Sequence, residues 1–198
     1  MNVISQIAPD FTLLDVWELP VEGRREDFDA ALALLSSLNP ESIDSRPARA
    51  LFALRDRLGR WLHWDDAKSR TIPGTRETTL SIRLPEGLRG SAARPVMSDA
   101  LRQPGAHFVP LYRTDDEWAA EVSNETVHGV IHLGWIPQGD GRYRGRMTIY
   151  VLPRGWLGRL YMLLIQPFRH LVVYPALMRH MGRAWAERGG SSALLLAP

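Results

Sequence analysis

Hydrophobic and polar residues alternate clearly in two stretches near the middle of the chain. Thr126 to Trp135 and Tyr143 to Leu152 flank Pro137-Gln138-Gly139-Asp140-Gly141-Arg142, whose Asp-Gly pair favours a tight turn, so together they predict a β-hairpin. Phe11 to Leu19, ending at Pro20, predicts a first strand. Arg76 to Leu84 alternates Leu80, Ile82 and Leu84 against Thr79, Ser81 and Arg83, and predicts another. His107 to Arg113 and Glu117 to Asn124, joined by Thr114-Asp115-Asp116, predict an antiparallel pair.

The helical signals have a different period. Phe28, Ala31, Leu32 and Leu35 mark a short amphipathic helix over Arg25 to Ser37, closed by Asn39-Pro40. A second helix is expected from about Ser45, with Pro47 in its first turn and Leu51, Leu54, Leu58, Trp61 and Leu62 on one stripe. Trp156 to Glu187 predicts a long terminal helix. Apolar residues occupy almost every face of its first half, so the sheet is expected to wrap it. Pro167 and Pro175 each remove a helix hydrogen bond and should kink or split it. Pro85 to Gly105, rich in Gly, Pro, Ser and Arg, predicts a long loop, and Gly189 to Pro198 a frayed tail.

The expected architecture is α+β: an antiparallel sheet of about six strands wrapped around a long, kinked C-terminal helix, with two short helices after strand one. The 198 residues suit a single domain over residues 1–188 with a flexible tail over residues 189–198.

Composition narrows the chemistry more than it identifies it. The absence of cysteine excludes disulfides, thiolate metal sites and a cysteine nucleophile, and fits a reducing, cytoplasmic setting. Met1 to Asp10 has no basic region followed by an apolar one, so no signal peptide is expected. Of 24 basic residues only Lys68 is lysine, a bias that fits a GC-rich bacterial genome. With 22 acidic residues interspersed the net charge is only +2, and base-reading motifs are absent, so nucleic acid is not an expected partner. Arg142, Arg144 and Arg146 alternate along one strand and are expected to face water.

His128 and His132 are the first candidates for acid-base work, with Glu121 and Tyr150 on neighbouring strands. A mononuclear metal site using both histidines is not expected: four strand residues span about 13 Å, whereas two donors to one zinc lie only about 3 to 4 Å apart. The opposite face, Val127, Gly129, Ile131, Leu133 and Trp135, looks like the core face, and Met147, Ile149 and Val151 repeat it on the partner strand. The histidines are therefore expected outside; if the polar face turned inward, His128, His132, Glu121, Arg146 and Tyr150 would form a catalytic cluster.

An apolar cavity between sheet and helix would draw on Trp135, Met147, Ile149, Tyr161, Ile165, Phe168 and Tyr174, although the same residues fill ordinary cores. Arg169 and His170, just past the first proline, could reach a ligand head group or form a salt bridge at the surface, and the surface role is the expected one. Leu160 to Met178 is not expected to span a membrane, because central charges cost about 2.5 to 3.5 kcal/mol each. A reversible interfacial contact is compatible with it.

The order of elements resembles the helix-grip superfamily of START domains, birch-pollen-allergen-like proteins and polyketide cyclases. More specifically, Asp15-Val16-Trp17-Glu18, Pro110-Leu111-Tyr112, Thr126 to Trp135, Gly158-Arg159-Leu160-Tyr161-Met162 and Pro167 to Pro175 resemble the family called domain of unknown function 2867. The resemblance runs from about Asp15 to Trp185 and brings no catalytic residue. It implies a fold whose relatives hold lipids or other apolar molecules between sheet and helix, some of them performing cyclisation or hydration there. Some members look fused to nucleotide-binding reductase-like domains, but this chain has no strand followed by G-x-G-x-x-G. The leading expectation is binding or carriage of a small apolar, lipid-like or polyketide-like molecule, without cofactor or metal. The alternatives are a cyclase- or hydratase-type enzyme using His128, His132, Glu121 or Tyr150, and an accessory protein that binds a reductase-like partner or a membrane surface.

Overall fold

The computed structural model describes residues 3–37, 80–91, 108–123 and 127–194. The expected helix from Ser45, the start of the expected strand at Arg76, and much of the Pro85 to Gly105 loop lie outside them. The described elements are α1 (Val3–Ile7), β1 (Thr12–Gly23), a 3-10 turn (Arg25–Asp27), α2 (Phe28–Ser37), 3-10 turns at Leu80–Arg83 and Glu86–Leu88, β2 (Val109–Arg113), β3 (Glu117–Ser123), β4 (Val127–Gly139), β5 (Arg142–Pro153), α3 (Gly155–Phe168), a π-helical turn (Arg169–Val173) and α4 (Tyr174–Leu194).

The sheet is antiparallel and five-stranded, in the order β1-β5-β4-β3-β2, so among the described residues there is one strand fewer than expected. The β4–β5 hairpin closes as the Asp-Gly pair predicts: Asp140 and Gly141 have φ of 51° and 72°, the left-handed region a two-residue hairpin turn requires. Leu80–Arg83 is a 3-10 turn rather than a strand. Over five residues, burial of Leu80 and Leu84 satisfies a turn as well as a strand. The exposed Ile82 between them identifies the turn.

Each face of the sheet has its own core. On one, Leu19 and Val21 of β1, Trp118 and Ala120 of β3, Leu133 and Trp135 of β4 and Met147 of β5 pack under Phe28, Ala31, Leu32 and Leu35 of α2 and under Tyr174 and Met181 of α4. Each large apolar side chain so buried contributes about 1.5–3 kcal/mol. Gly145 opposes Trp135, and a Cβ there would sit 2.7 Å from Val21 Cγ2, so only glycine lets β1 lie this close. On the other face, Ala119, Val130 and Tyr112 pack beneath Ile4, Ile7, Ala8 and Phe11 from the N-terminus and Leu80 and Leu84 from the 3-10 turn.

The terminal helix divides where the prolines lie. Pro167 falls inside the last turn of α3 and Pro175 in the first turn of α4. Between them the backbone widens to a π turn, in which the Tyr174 N–H donates to the Arg169 carbonyl. A proline ring clashes with the carbonyl four residues back, and the wider turn relieves that crowding. Of the two halves only α4 contributes to the sheet's core. The expectation that the sheet wraps the apolar first half is not met: Trp156, Leu160, Leu163, Leu164 and Phe168 of α3 are exposed. The helical backbone also continues past Glu187, the expected end, to Leu194.

Candidate functional site

The polar face of the sheet is built by strand register. Ser123 pairs with His128, Glu121 with Val130 and Ala119 with His132, while Thr148 and Tyr150 of β5 stand opposite His132 and Val130. Glu117, Glu121, His128, His132, Thr148 and Tyr150 therefore share one face. That face is covered, so the histidines are inside rather than outside. His128 and His132 are each only 3% exposed and Glu121 is fully buried, under a roof supplied by α1, Phe11 and the Leu80–Arg83 turn.

The two histidines have different surroundings. His128 Nε2 lies 2.9 Å from Glu121 Oε2, the same oxygen that accepts the Leu80 N–H at 3.2 Å, and Phe11 packs edge-on against the His128 ring at 4.9 Å. Glu121 thus ties the 3-10 turn and His128 to the sheet. A buried carboxylate requires such partners.

His132 instead borders an opening. It lines a shallow basin of about 180 Å³ with Leu13, Val16, Gly134, Ile136, Arg146, Thr148 and Tyr150. Gly134 keeps its floor low, since a Cβ there would meet Ile136 Cδ1 at 3.1 Å and His132 Cε1 at 3.5 Å. His132 Nε2 is buried and makes no hydrogen bond among the described residues; Glu117 Oε2 is 3.6 Å away. The same Glu117 oxygen accepts the Tyr112 hydroxyl at 3.2 Å. Burial disfavours the Glu117 carboxylate, but His132 and the Tyr112 hydroxyl outweigh burial and hold its pKa below the usual range. Burial, and then the Glu117 charge, raise the pKa of Tyr150, so its hydroxyl stays protonated and able to donate. Arg146 at the rim is occupied by Glu18 at 2.8 Å.

The helix side holds a second polar cluster. Asp15, with a side chain 4% exposed, accepts from the Tyr174 hydroxyl at 2.7 Å and Arg169 at 2.8 Å on one oxygen, and has His170 Nε2 3.0 Å from the other. Arg169, expected at the surface, is 14% exposed and turned inward onto this carboxylate at the π turn, while His170 reaches it from a side chain still 39% exposed. Burial, then the bond to Asp15, raise the pKa of Tyr174. Of the residues expected to line a cavity here, Trp135, Met147 and Tyr174 are buried in the shared core and Ile149 packs against it. Ile165 is half-buried and Phe168 exposed, while the Tyr161 side chain lies outside the described set. The structure brings His128 and Glu121 together and sets His132 with Tyr150, but it does not gather all four at one opening.

Sequence reasoning missed Glu117, Tyr112 and Asp15. The alternation Glu117-x-Ala119-x-Glu121 places two carboxylates on one strand face and was a readable signal. Asp15, flanked by apolar residues within a strand, was another. Among the described residues no group of three His, Cys, Asp or Glu side chains could hold a metal, and no helix is long and apolar enough to cross a membrane.

The chain belongs to the family described as protein of unknown function DUF2867, which matches residues 7–176. No curated protein and no solved structure matches it.

Proposed function

We propose that this chain binds a small molecule in the basin over His132, on the sheet face away from α4. The observation that carries this reading is an opening on that face in which the polar side chains of His132, Thr148 and Tyr150 meet an apolar wall of Leu13, Val16 and Ile136. Leu13 and Val16, both half exposed on β1, would pack the ligand's apolar body, and Thr148, Tyr150 and His132 would meet its polar group. At about 180 Å³ the basin is smaller than the roughly 300 to 1,000 Å³ of drug-sized sites, which points to a ligand of about ten non-hydrogen atoms. That is a smaller molecule than a sterol or long-chain lipid.

A protonated Tyr150 lining the same basin as His132 also favours a second reading, acid-base turnover of the bound molecule, with His132 accepting a proton and Tyr150 donating one. The antiparallel sheet and the long helix packed against it support a helix-grip ancestry, with the ligand site displaced from the helix side to the opposite face.

Organic extraction and mass spectrometry of the purified protein, beside native mass spectrometry of the complex, test the proposal. A stoichiometric small molecule with an apolar body and one polar group is expected, retained by the parent chain and lost from His132→Ala. Equal retention by both proteins would place the ligand elsewhere.

A further inference from the structure

We infer that the exposed stripe of α3 and the π turn after it docks onto an anionic lipid surface. Trp156, Leu160, Leu163, Leu164, Phe168 and Leu171 recur at i, i+4, i+7, i+8, i+12 and i+15, the spacing of one helical face. All six are exposed, with Trp156 at 72%, Leu163 at 67% and Leu171 at 77%. Solvent-facing apolar residues scattered singly need no explanation, but six in one stripe mark a docking surface. Burial of the same helix in the chain's own core would have hidden them.

Charge identifies the occupant. From Gly141 through Ala186 the chain has no aspartate or glutamate, and the stripe lies inside this stretch. Five arginines of the stretch are engaged: Arg142, Arg144 and Arg146 with Glu18 or Glu22, Arg154 with Ser123, and Arg169 with Asp15. Arg159, Arg179 and Arg183 are exposed and make no ion pair among the described residues. Arg159 lies within α3, at i+3 from Trp156. An apolar stripe edged by unneutralised cations suits a membrane interface, where the side chains enter the acyl boundary and the guanidinium groups meet lipid phosphates. A symmetric dimer fits less well, because α3 has no acid to pair with Arg159 across the interface. At 14 residues α3 is about 21 Å long, enough to lie in the interface and too short to cross it.

The test is flotation of the full chain with phosphatidylcholine vesicles with and without phosphatidylglycerol, beside its sedimentation without lipid. Co-flotation only with phosphatidylglycerol is expected, weakened at least about tenfold in Leu163→Glu/Leu171→Glu and several-fold in Arg159→Glu or in about 0.5 M salt. Three results would overturn the inference. One is absence of flotation on anionic vesicles. Another is a dimer in sedimentation that Leu163→Glu dissociates, which would assign the stripe to a second copy. The third is a melting temperature lowered by about 5 °C or more in the double variant, which would show the stripe covered within the fold.

Discussion

Replacing Asp15 by alanine should destabilise the protein more than any other single change to a polar residue of the helix side. Its carboxylate accepts from Tyr174 at 2.7 Å and Arg169 at 2.8 Å and lies 3.0 Å from His170, so one truncation leaves three groups without their acceptor. The guanidinium dominates the cost. The Arg169 side chain is 14% exposed, and breaking a buried pair from one side costs about 3–5 kcal/mol; residual solvent contact argues for the lower end, about 3 kcal/mol. Tyr174→Phe removes one hydrogen bond to a charged group while Asp15 keeps its other two partners, and should cost about 1.5 kcal/mol. Asp15→Ala/Arg169→Met removes the stranded charge along with its partner and should be more stable than Asp15→Ala alone. Urea denaturation followed by tryptophan fluorescence measures all of these, since the Trp17 ring lies 4.7 Å from Tyr174. A loss below about 1 kcal/mol for Asp15→Ala, or simple additivity in the double variant, would refute the claim that this cluster anchors the π turn to β1.

Three further outcomes follow from the same structure. Glu121→Ala removes the acceptor of the Leu80 N–H and the partner of His128, and should cost about 2 kcal/mol or more and speed amide exchange at Leu80, measured by hydrogen–deuterium exchange. Gly145→Ala forces a Cβ to 2.7 Å from the buried Val21 and should cost about 1–3 kcal/mol by denaturant titration. Glu117 has a folded pKa below its unfolded value of about 4.3, so its contribution to stability is complete above that pH and is lost as pH falls through the folded value. Glu117→Gln should accordingly lower stability at neutral pH and flatten its fall below about pH 5, the variant and parent converging in acid, as measured by urea denaturation over a pH series.

Much of the β-framework is written locally. Alternation along β4 and β5, with an Asp-Gly pair between them, identifies the hairpin and assigns Leu133, Trp135 and Met147 to the face that α2 and α4 cover. Alternation states which residues share a face but not what covers it. The roof over His128 and His132 comes from Ile4, Ile7, Phe11, Leu80 and Leu84, far away in sequence, and nothing within β4 reports it. The same limit applies to Arg169 and His170, whose partner is Asp15 in the first strand. A helix apolar on most faces reads as one gripped by the sheet, yet the π turn separates a covered half from an exposed one. Of the candidate site, His132 and Tyr150 were legible as polar residues on one strand face. Glu117, Tyr112 and Gly134 acquire their meaning only from cross-strand register.

The central claim concerns the sheet face that takes the ligand, and chemical-shift mapping with the copurified molecule, or with small apolar carboxylic acids in its place, addresses it directly. Binding in the basin predicts saturable shifts at Val16, His132, Gly134 and Tyr150 that vanish in His132→Ala, while Tyr174 and Met181 stay unmoved. Shifts centred on Tyr174, Met178 and Met181, persisting in His132→Ala, would contradict it and return the site to the space between sheet and helix.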